Sequence, residues 1–460
     1  MAEGALTQLV AIGAQESQFI TKDTKSSIFY PGISKTTNFV KADKSIYSEG
    51  TGNWGTTVKF RINKNGDLLG SCYVVVELPE LSLDEHINLA DYNKLRVKWV
   101  DYIGNVLVEN VKLYIGGQLI DEQSGEFNQI YTDLTDDDWN KLCLIGLDDN
   151  LIKPRQKILS THIYVPLKFW FCNDMKKALP LIALQYHDVE IEVKIREWQY
   201  CYQILKNIGA DGVPAVPVQY QIYNDTLSLK QVNIKDIRLD CNYYYLDSED
   251  RKRIAQSEHK FLITQVQKRS CSLSQGLNID LNFNHPVKEM FFYIQNDYIR
   301  NLPEPFNFSA TPTYITKEIK EDINTTYSTF NNLSKNHNLG NARILINGFS
   351  RVDWRDYKYY YYLQNYENYR NKLEHYIYLY AFSPDPKSST AYGCMNFSRI
   401  DNAQLQFNIN KQLKEIYSSN IFPKISQTLG VNGNFTINVY AINYNFLIVK
   451  GGMAGVEYSV

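Results

Sequence analysis

Apolar and polar residues alternate along much of this chain, the period-two pattern of strands with one buried face. Val58-Lys59-Phe60-Arg61-Ile62 alternates, and Asn65-Gly66 predicts a tight turn before a second run, Cys72-Tyr73-Val74-Val75-Val76. Val108 to Ile115 predicts a strand ending at Gly116-Gly117, and Ile234 to Leu246 predicts another. Residues 259–268 resume the alternation, and His285-Pro286 breaks the chain before Val287 to Ile294. Ile437 to Val449 closes the set, followed by Gly451-Gly452. Helix signals are few. Thr135 ahead of Asp136, Asp137 and Asp138 predicts an N-cap with an acidic first turn and a short helix to about Leu144. Asp247 or Ser248 caps a second helix through Glu249, Asp250 and Arg251. Two long polar connections, 196–233 and 301–341, read as surface-elaborated loops, and residues 1–36 as an extended arm.

The alternation carries an internal echo. Ile163 and Ile377, Tyr186 and Ile400, and Ile195 and Ile409 are each 214 positions apart (377−163, 400−186, 409−195). Ile115-Gly116-Gly117 with Asp121 resembles Ile346-Asn347-Gly348 with Asp353, and Leu239 to Tyr243 resembles Tyr440 to Tyr444. A solenoid unit spans about 20–50 residues, so this period is that of a domain. The 460 residues also exceed the roughly 250–300 beyond which one core stops growing. The chain therefore reads as all-β, with one β-domain over 37–247, a linker or short helix over 248–257, and a second β-domain over 258–460.

Composition narrows the function. The 35 Tyr and 21 Phe favour strands. Lys+Arg 48 against Asp+Glu 50 leaves a net charge of −2, without the basic excess of a nucleic-acid coat. No apolar window reaches the roughly eighteen residues of a membrane span, and Leu9-Val10-Ala11-Ile12 is too short for a signal peptide. Seven scattered cysteines without Cys-x-x-Cys spacing read as reduced thiols packed as small hydrophobes.

The residues mark no catalytic, metal or cofactor site. His187-Asp188 suggests a relay, but no nucleophile accompanies it and the histidine sits in an alternating segment, which favours a structural role. Asp136-Asp137-Asp138 lacks calcium-loop spacing, and neither Gly116-Gly117 nor Gly451-Gly452 leads into a phosphate loop. Tyr357, Tyr359, Tyr360, Tyr361, Tyr362 and Tyr366 offer either a stacking surface for sugars or bases or, the favoured reading, a seam between strands or subunits. Six sequons, at Asn224, Asn307, Asn324, Asn332, Asn396 and Asn434, read as unused.

Longer motifs carry a resemblance. Phe169-Trp170-Phe171, Pro180 and Tyr186-His187 in the first half, and His285-Pro286, Asn396-Phe397-Ser398-Arg399 with Asp401, and Asn443-Tyr444 in the second, resemble the major capsid proteins of nucleocytoplasmic large DNA viruses. The resemblance runs from about residue 5 to the C-terminus and assigns these residues structural roles. It implies two tandem antiparallel jelly-roll β-sandwiches and a homotrimeric, pseudo-hexagonal capsomer of an outer icosahedral shell, in a virion assembled in the host cytoplasm. Its implied partners are copies of itself, minor capsid and penton proteins, and a nearby inner membrane that it does not span. Surface glycans fit the picture; direct nucleic-acid contact and cofactors do not. Two other classes stay open on the residues alone: a lectin-like β-sandwich using the tyrosine surface, and a glycosidase, for which no carboxylate pair stands out.

Overall fold

Strands dominate the computed structural model, which describes residues 14–15, 37–83, 94–135, 139–207, 220–222, 229–272, 278–309, 313, 337–410 and 435–459. The expected arm over 1–36, apart from Ala14 and Gln15, lies outside the described residues, as do Asp136, Asp137 and Asp138. Val40–Val460 is one compact unit.

Thirteen strands fill the first half: β1 (Phe39–Tyr47), β2 (Thr57–Arg61), β3 (Leu68–Leu78), β4 (Leu81–Ser82), β5 (Leu95–Trp99), β6 (Val108–Ile115), β7 (Gln118–Ser124), β8 (Lys157–Ile158), β9 (Thr161–Pro166), β10 (Val189–Ile195), β11 (Tyr202–Asn207), β12 (Tyr220–Ile222) and β13 (Ile237–Leu246). Eight of them build two four-stranded sheets, in the orders β1-β13-β3-β9 and β2-β10-β6-β7. After the helix Ser248–Gln256 come β14 (His259–Ser272), β15 (Asn278–Asp280), β16 (Pro286–Asn296), β17 (Leu339–Ile346), β18 (Phe349–Asp356), β19 (Tyr378–Ala381), β20 (Met395–Asn396), β21 (Ala403–Ile409), β22 (Phe435–Lys450) and β23 (Met453–Val456). Their two main sheets run β14-β22-β16-β19 and β15-β21-β17-β18. With the eight main strands of each half ranked in chain order, both halves read 1-8-3-6 and 2-7-4-5. Each half is a jelly roll of antiparallel strands, and the two share one topology.

The sequence echo falls on matching strands. Ile163 lies in β9 and Ile377 immediately before its counterpart β19, while Ile195 and Ile409 end β10 and β21. Gly116-Gly117 and Asn347-Gly348 join the equivalent pairs β6–β7 and β17–β18, and all four residues have positive φ, from 48° to 82°. Two-residue hairpins with that backbone match the right-handed twist of their strands, which is why glycine and asparagine recur there.

Alternation sets the inner faces. In β10 the residues Val189, Ile191, Val193 and Ile195 are buried, while Glu190, Glu192 and Lys194 face outward. β16 and β22 lack such alternation because both of their faces are covered. Met290, Phe292 and Ile294 point into the second roll's own core with Ile437, Val439 and Ala441. Phe291, Tyr293, Tyr440 and Ile442 point the other way and join the core of the first roll. The expected pair of separate cores is thus replaced by one self-contained core and one that runs across the seam between the rolls.

Other expectations shift. Asn65-Gly66 does not close a hairpin, because β2 and β3 lie in different sheets; a Cβ on Gly66 would stand 2.8 Å from the Tyr243 side chain. Thr135 ends a helix, Gly125–Thr135, instead of capping one, and a second helix spans Trp139–Leu144. The Thr135 hydroxyl donates to the Tyr131 carbonyl one turn back, at 2.6 Å. The 196–233 connection contains β11 and β12, which extend β5 into a three-stranded sheet. Leu339, placed within the second long loop, opens β17. His187 precedes β10 and is not part of a strand, and Pro286 is the first residue of β16, where its missing N–H costs no ladder bond. His285 before it makes the break, with φ 64°.

Candidate assembly surfaces

The aromatic motif after β9 is internal. Phe169 and Phe171 are buried with ring centroids 5.8 Å apart, and Trp170 meets Phe171 edge-on at 5.2 Å. Pro180, also buried, follows Leu179, which exchanges two backbone hydrogen bonds with Leu69 at 2.8 and 2.9 Å. Phe169, Trp170, Phe171 and Leu179 belong to the hydrophobic core of the first roll.

Tyr186 and His187 reach the second roll. The Tyr186 N–H donates to the Gly452 carbonyl at 3.0 Å, and a Cβ on Gly452 would come within 2.7 Å of the tyrosine ring. His187 Nδ1 sits 3.0 Å from the Ala454 carbonyl oxygen and 3.2 Å from the Ala454 nitrogen. Protonated, it donates to the first; bare, it accepts from the second. Asp188 is not its relay partner: the carboxylate pairs with Arg61 and, at 3.3 Å, with Lys64, and these cations hold it below the usual aspartate range.

The motifs of the second half form a clasp inside that roll. β20 pairs with the start of β16, Pro286 opposite Asn396. The His285 N–H donates to Ser398 Oγ at 2.8 Å, the Phe397 N–H to the His285 carbonyl at 3.1 Å, and the Ser398 N–H to Asn396 Oδ1 at 3.1 Å. Phe397 is buried against Phe283 and Phe382, while Arg399 and Asp401 are exposed. Asn443, fully buried in β22, accepts from the Gln267 amide at 2.9 Å, and Tyr444 beside it has its hydroxyl pKa raised by burial. The structure therefore spreads the sequence-marked residues over three separate fastenings and gathers no reactive cluster from them. Among the described residues no group of His, Cys, Asp or Glu has the arrangement of a metal site.

Sequence reading missed the seam itself. The Val266 N–H of β14 donates to Asp121 Oδ1 of β7 at 2.9 Å, and the Gln265 amide to the Ile120 carbonyl. Phe127, on the helix after β7, packs 6.1 Å from Phe291 and 6.0 Å from Tyr440. His375 of the second roll pairs with Asp133 on that same helix. Between the rolls lies an open cleft of about 990 Å³, where Glu126 pairs with Arg196 at 3.0 Å and with Lys268 at 4.0 Å. The tyrosine cluster divides. Tyr360 is buried and donates to the Ala342 carbonyl at 3.1 Å, whereas Tyr362 and Tyr366 are exposed.

Two family models match in succession, "Major capsid protein N-terminus" over residues 27–247 and "Large eukaryotic DNA virus major capsid protein" over 250–455. The chain belongs to the major capsid proteins of large eukaryotic DNA viruses. The major capsid protein of Paramecium bursaria Chlorella virus 1 is 29% identical, and that of Phaeocystis pouchetii virus 27%, with 99% of each chain covered in both cases. In structure, the chain resembles the PBCV-1 virus capsid protein with a TM-score of 0.70 at 24% identity, covering 94% of this chain and all of that one. The Faustovirus major capsid protein gives 0.67 at 13% identity, with 93% of each covered. Both share its double jelly-roll fold. As a major capsid protein, the chain is a structural component of the virion that assembles with copies of itself, and its role is not enzymatic.

Proposed function

We propose that this capsid protein forms a homotrimeric, pseudo-hexagonal capsomer that tiles the outer icosahedral shell of a large double-stranded DNA virus. One observation carries the reading: two sandwiches of identical strand order follow one another in a single chain. Three copies then supply six similar β-domains, so threefold symmetry imitates sixfold packing. In this reading 37–247 and 258–460 are the two shell domains, joined by 248–257, and the 1–36 arm runs inward toward minor capsid proteins above an inner membrane. Penton proteins are neighbours at the vertices, surface glycans are compatible with the reading, and assembly takes place in the host cytoplasm.

Sedimentation equilibrium tests it. The expected mass is three times the 53.4 kDa chain at both low and high salt, because apolar and aromatic area holds the contacts. Electron micrographs of the same sample should show hexagonal outlines. A monomer or dimer at micromolar concentration under both conditions refutes the capsomer.

A further inference from the structure

The contact between the two rolls uses one edge of each. β7 is the outer strand of β2-β10-β6-β7, and β14 the outer strand of β14-β22-β16-β19. β7 and the helix after it, Gly125–Thr135, pack on the β14 edge and the outer face of its sheet, where Phe127 meets Phe291 and Tyr440. Among the described residues, no strand pairs with the outer edge of either of the other halves of this contact. The counterpart of β7 is β18, followed by the helical segment Tyr359–Leu363 and Gln364–Asn368; the counterpart of β14 is β1.

Most residues of both counterparts are exposed. Of the eight residues of β18 only Val352 is buried, and of the nine in β1 only Ile46. Phe349 is 80% exposed, Tyr366 68% and Val40 60%, with Trp354, Tyr362 and Leu363 also open. Asp353, the sequence counterpart of the buried Asp121, is exposed. Long, open sheet edges with apolar side chains are templates for pairing unless something covers them.

We infer that β18 and its following helical segment in one copy dock on the β1 edge and the outer face of β1-β13-β3-β9 in a second copy, repeating between chains the β7–β14 contact made within each. The inference rests on the capsomer reading, which supplies the closure at three. The contact is head-to-tail, since each copy gives one surface and receives on a different one. Trp354, Tyr362 and Tyr366 are the anchors, in the place that Phe127 takes inside the chain. Half-covered Tyr73 and Tyr164 lie on the receiving sheet.

Two experiments on the full chain test it. In the first, Phe349→Lys with Trp354→Lys disables the giving edge, and Val40→Asp with Tyr47→Asp the receiving edge. All four side chains are exposed, so thermal unfolding should stay close to wild type. Each variant should sediment as a monomer where wild type is a trimer, and a mixture of the two should form one-to-one dimers and nothing larger. In the second, amine cross-linking of mixed ¹⁴N and ¹⁵N wild-type copies should join Lys41 or Lys44 of one copy to Lys358 of another. This arm decides the matter if a variant fails to fold. A wild-type trimer whose edge variants remain trimers, or whose β1 lysines link to other surfaces and not to Lys358, overturns this docking and leaves the capsomer standing. A monomeric wild type overturns both.

Discussion

His375 of the second roll holds Asp133 of the first across the seam, from 242 positions away in sequence. Burial alone would lower the imidazole pKa. The Asp133 carboxylate and its hydrogen bond override that, with Glu374 and Asp101 adding to the field, and the pKa rises above the ordinary 6.5. Asp133 is held in turn by the Gln129 amide at 2.9 Å, so the pair is fixed on the helix of one roll and received by the other.

The seam should tighten in acid. A histidine with a raised folded pKa contributes stability that is complete below its unfolded value of 6.5 and is lost as pH climbs through the folded one. Asp121 acts in the same direction. Burial pushes its carboxyl up to about 7, against hydrogen bonds from Val266, Gln123 and the Glu122 backbone, so folding loses stability as pH rises from 3.8 toward 7. His375→Gln should cost about 3 kcal/mol near pH 6 and less near pH 8, because it leaves a buried carboxylate unpaired. Thermal unfolding of both proteins across that range checks it, and equal losses at the two ends would exclude titration of His375.

Gly116→Ala and Gly117→Ala should separate crowding from backbone strain. Both glycines have positive φ, but a Cβ at Gly116 would lie 2.3 Å from His187 Nδ1, while at Gly117 it would meet nothing within 4 Å. The first is expected to cost about 2–4 kcal/mol and to loosen the His187–Ala454 fastening, the second about 1 kcal/mol. Denaturant unfolding gives both values, and hydrogen exchange at Ala454 should rise only in the first variant.

Glu289 is a fully buried acid. It pairs with Lys288 at 3.2 Å and accepts from the Tyr369 hydroxyl at 2.5 Å, while Lys288 also donates to the Pro386 carbonyl at 2.7 Å. Glu289→Ala should cost about 3–5 kcal/mol by stranding the ammonium. Changing the pair together, Lys288→Met with Glu289→Leu, should cost less than the single change, and a double-variant cycle measures the difference.

The thiols should react in order of access. Cys394 is exposed, whereas Cys72, Cys201 and Cys241 are buried. The neighbouring thiols of Cys172 and Cys241, together with burial, push Cys72 well up, and burial pushes Cys201 up to about 12. Alkylation of native protein should mark Cys394 first. Denatured, unreduced protein should yield seven labelled sites; five or fewer would reveal a disulfide.

Much of the fold was legible because half-buried strands write their burial into the sequence. β6 and β10 alternate, and the echo landed on counterpart strands because both rolls need the same residue types at the same turns. β1 was illegible for the converse reason: with a single buried residue it has no apolar face to show. β11 pairs with β5, a partner about a hundred positions away, and β12 is a three-residue strand paired only with β11, so little local distinguished them from a loop. The helix Gly125–Thr135, ahead of the expected one that ends at Leu144, was missed because its buried face includes Asn128, Gln129, Thr132 and Asp133, polar residues that a hydrophobic pattern skips. Of the motif residues, only Tyr186 and His187 bear on the seam; the others fasten the rolls internally. Asp121, Asp133 and His375 were invisible as a set, since what unites them is the meeting of two domains.

The helix Ser248–Gln256 joins the rolls covalently, and Arg251 on it pairs with Asp67 of the first at 3.1 Å. Mass action then treats the contacts of the proposed ring unequally. Those made inside a chain hold at any dilution, since their effective concentration is set by the tether and not by the solution. Ring formation becomes third order in protein where six separate rolls would need sixth order. A tenfold drop in subunit concentration would therefore lower the yield of the proposed rings, when dilute, by about a thousandfold instead of a millionfold.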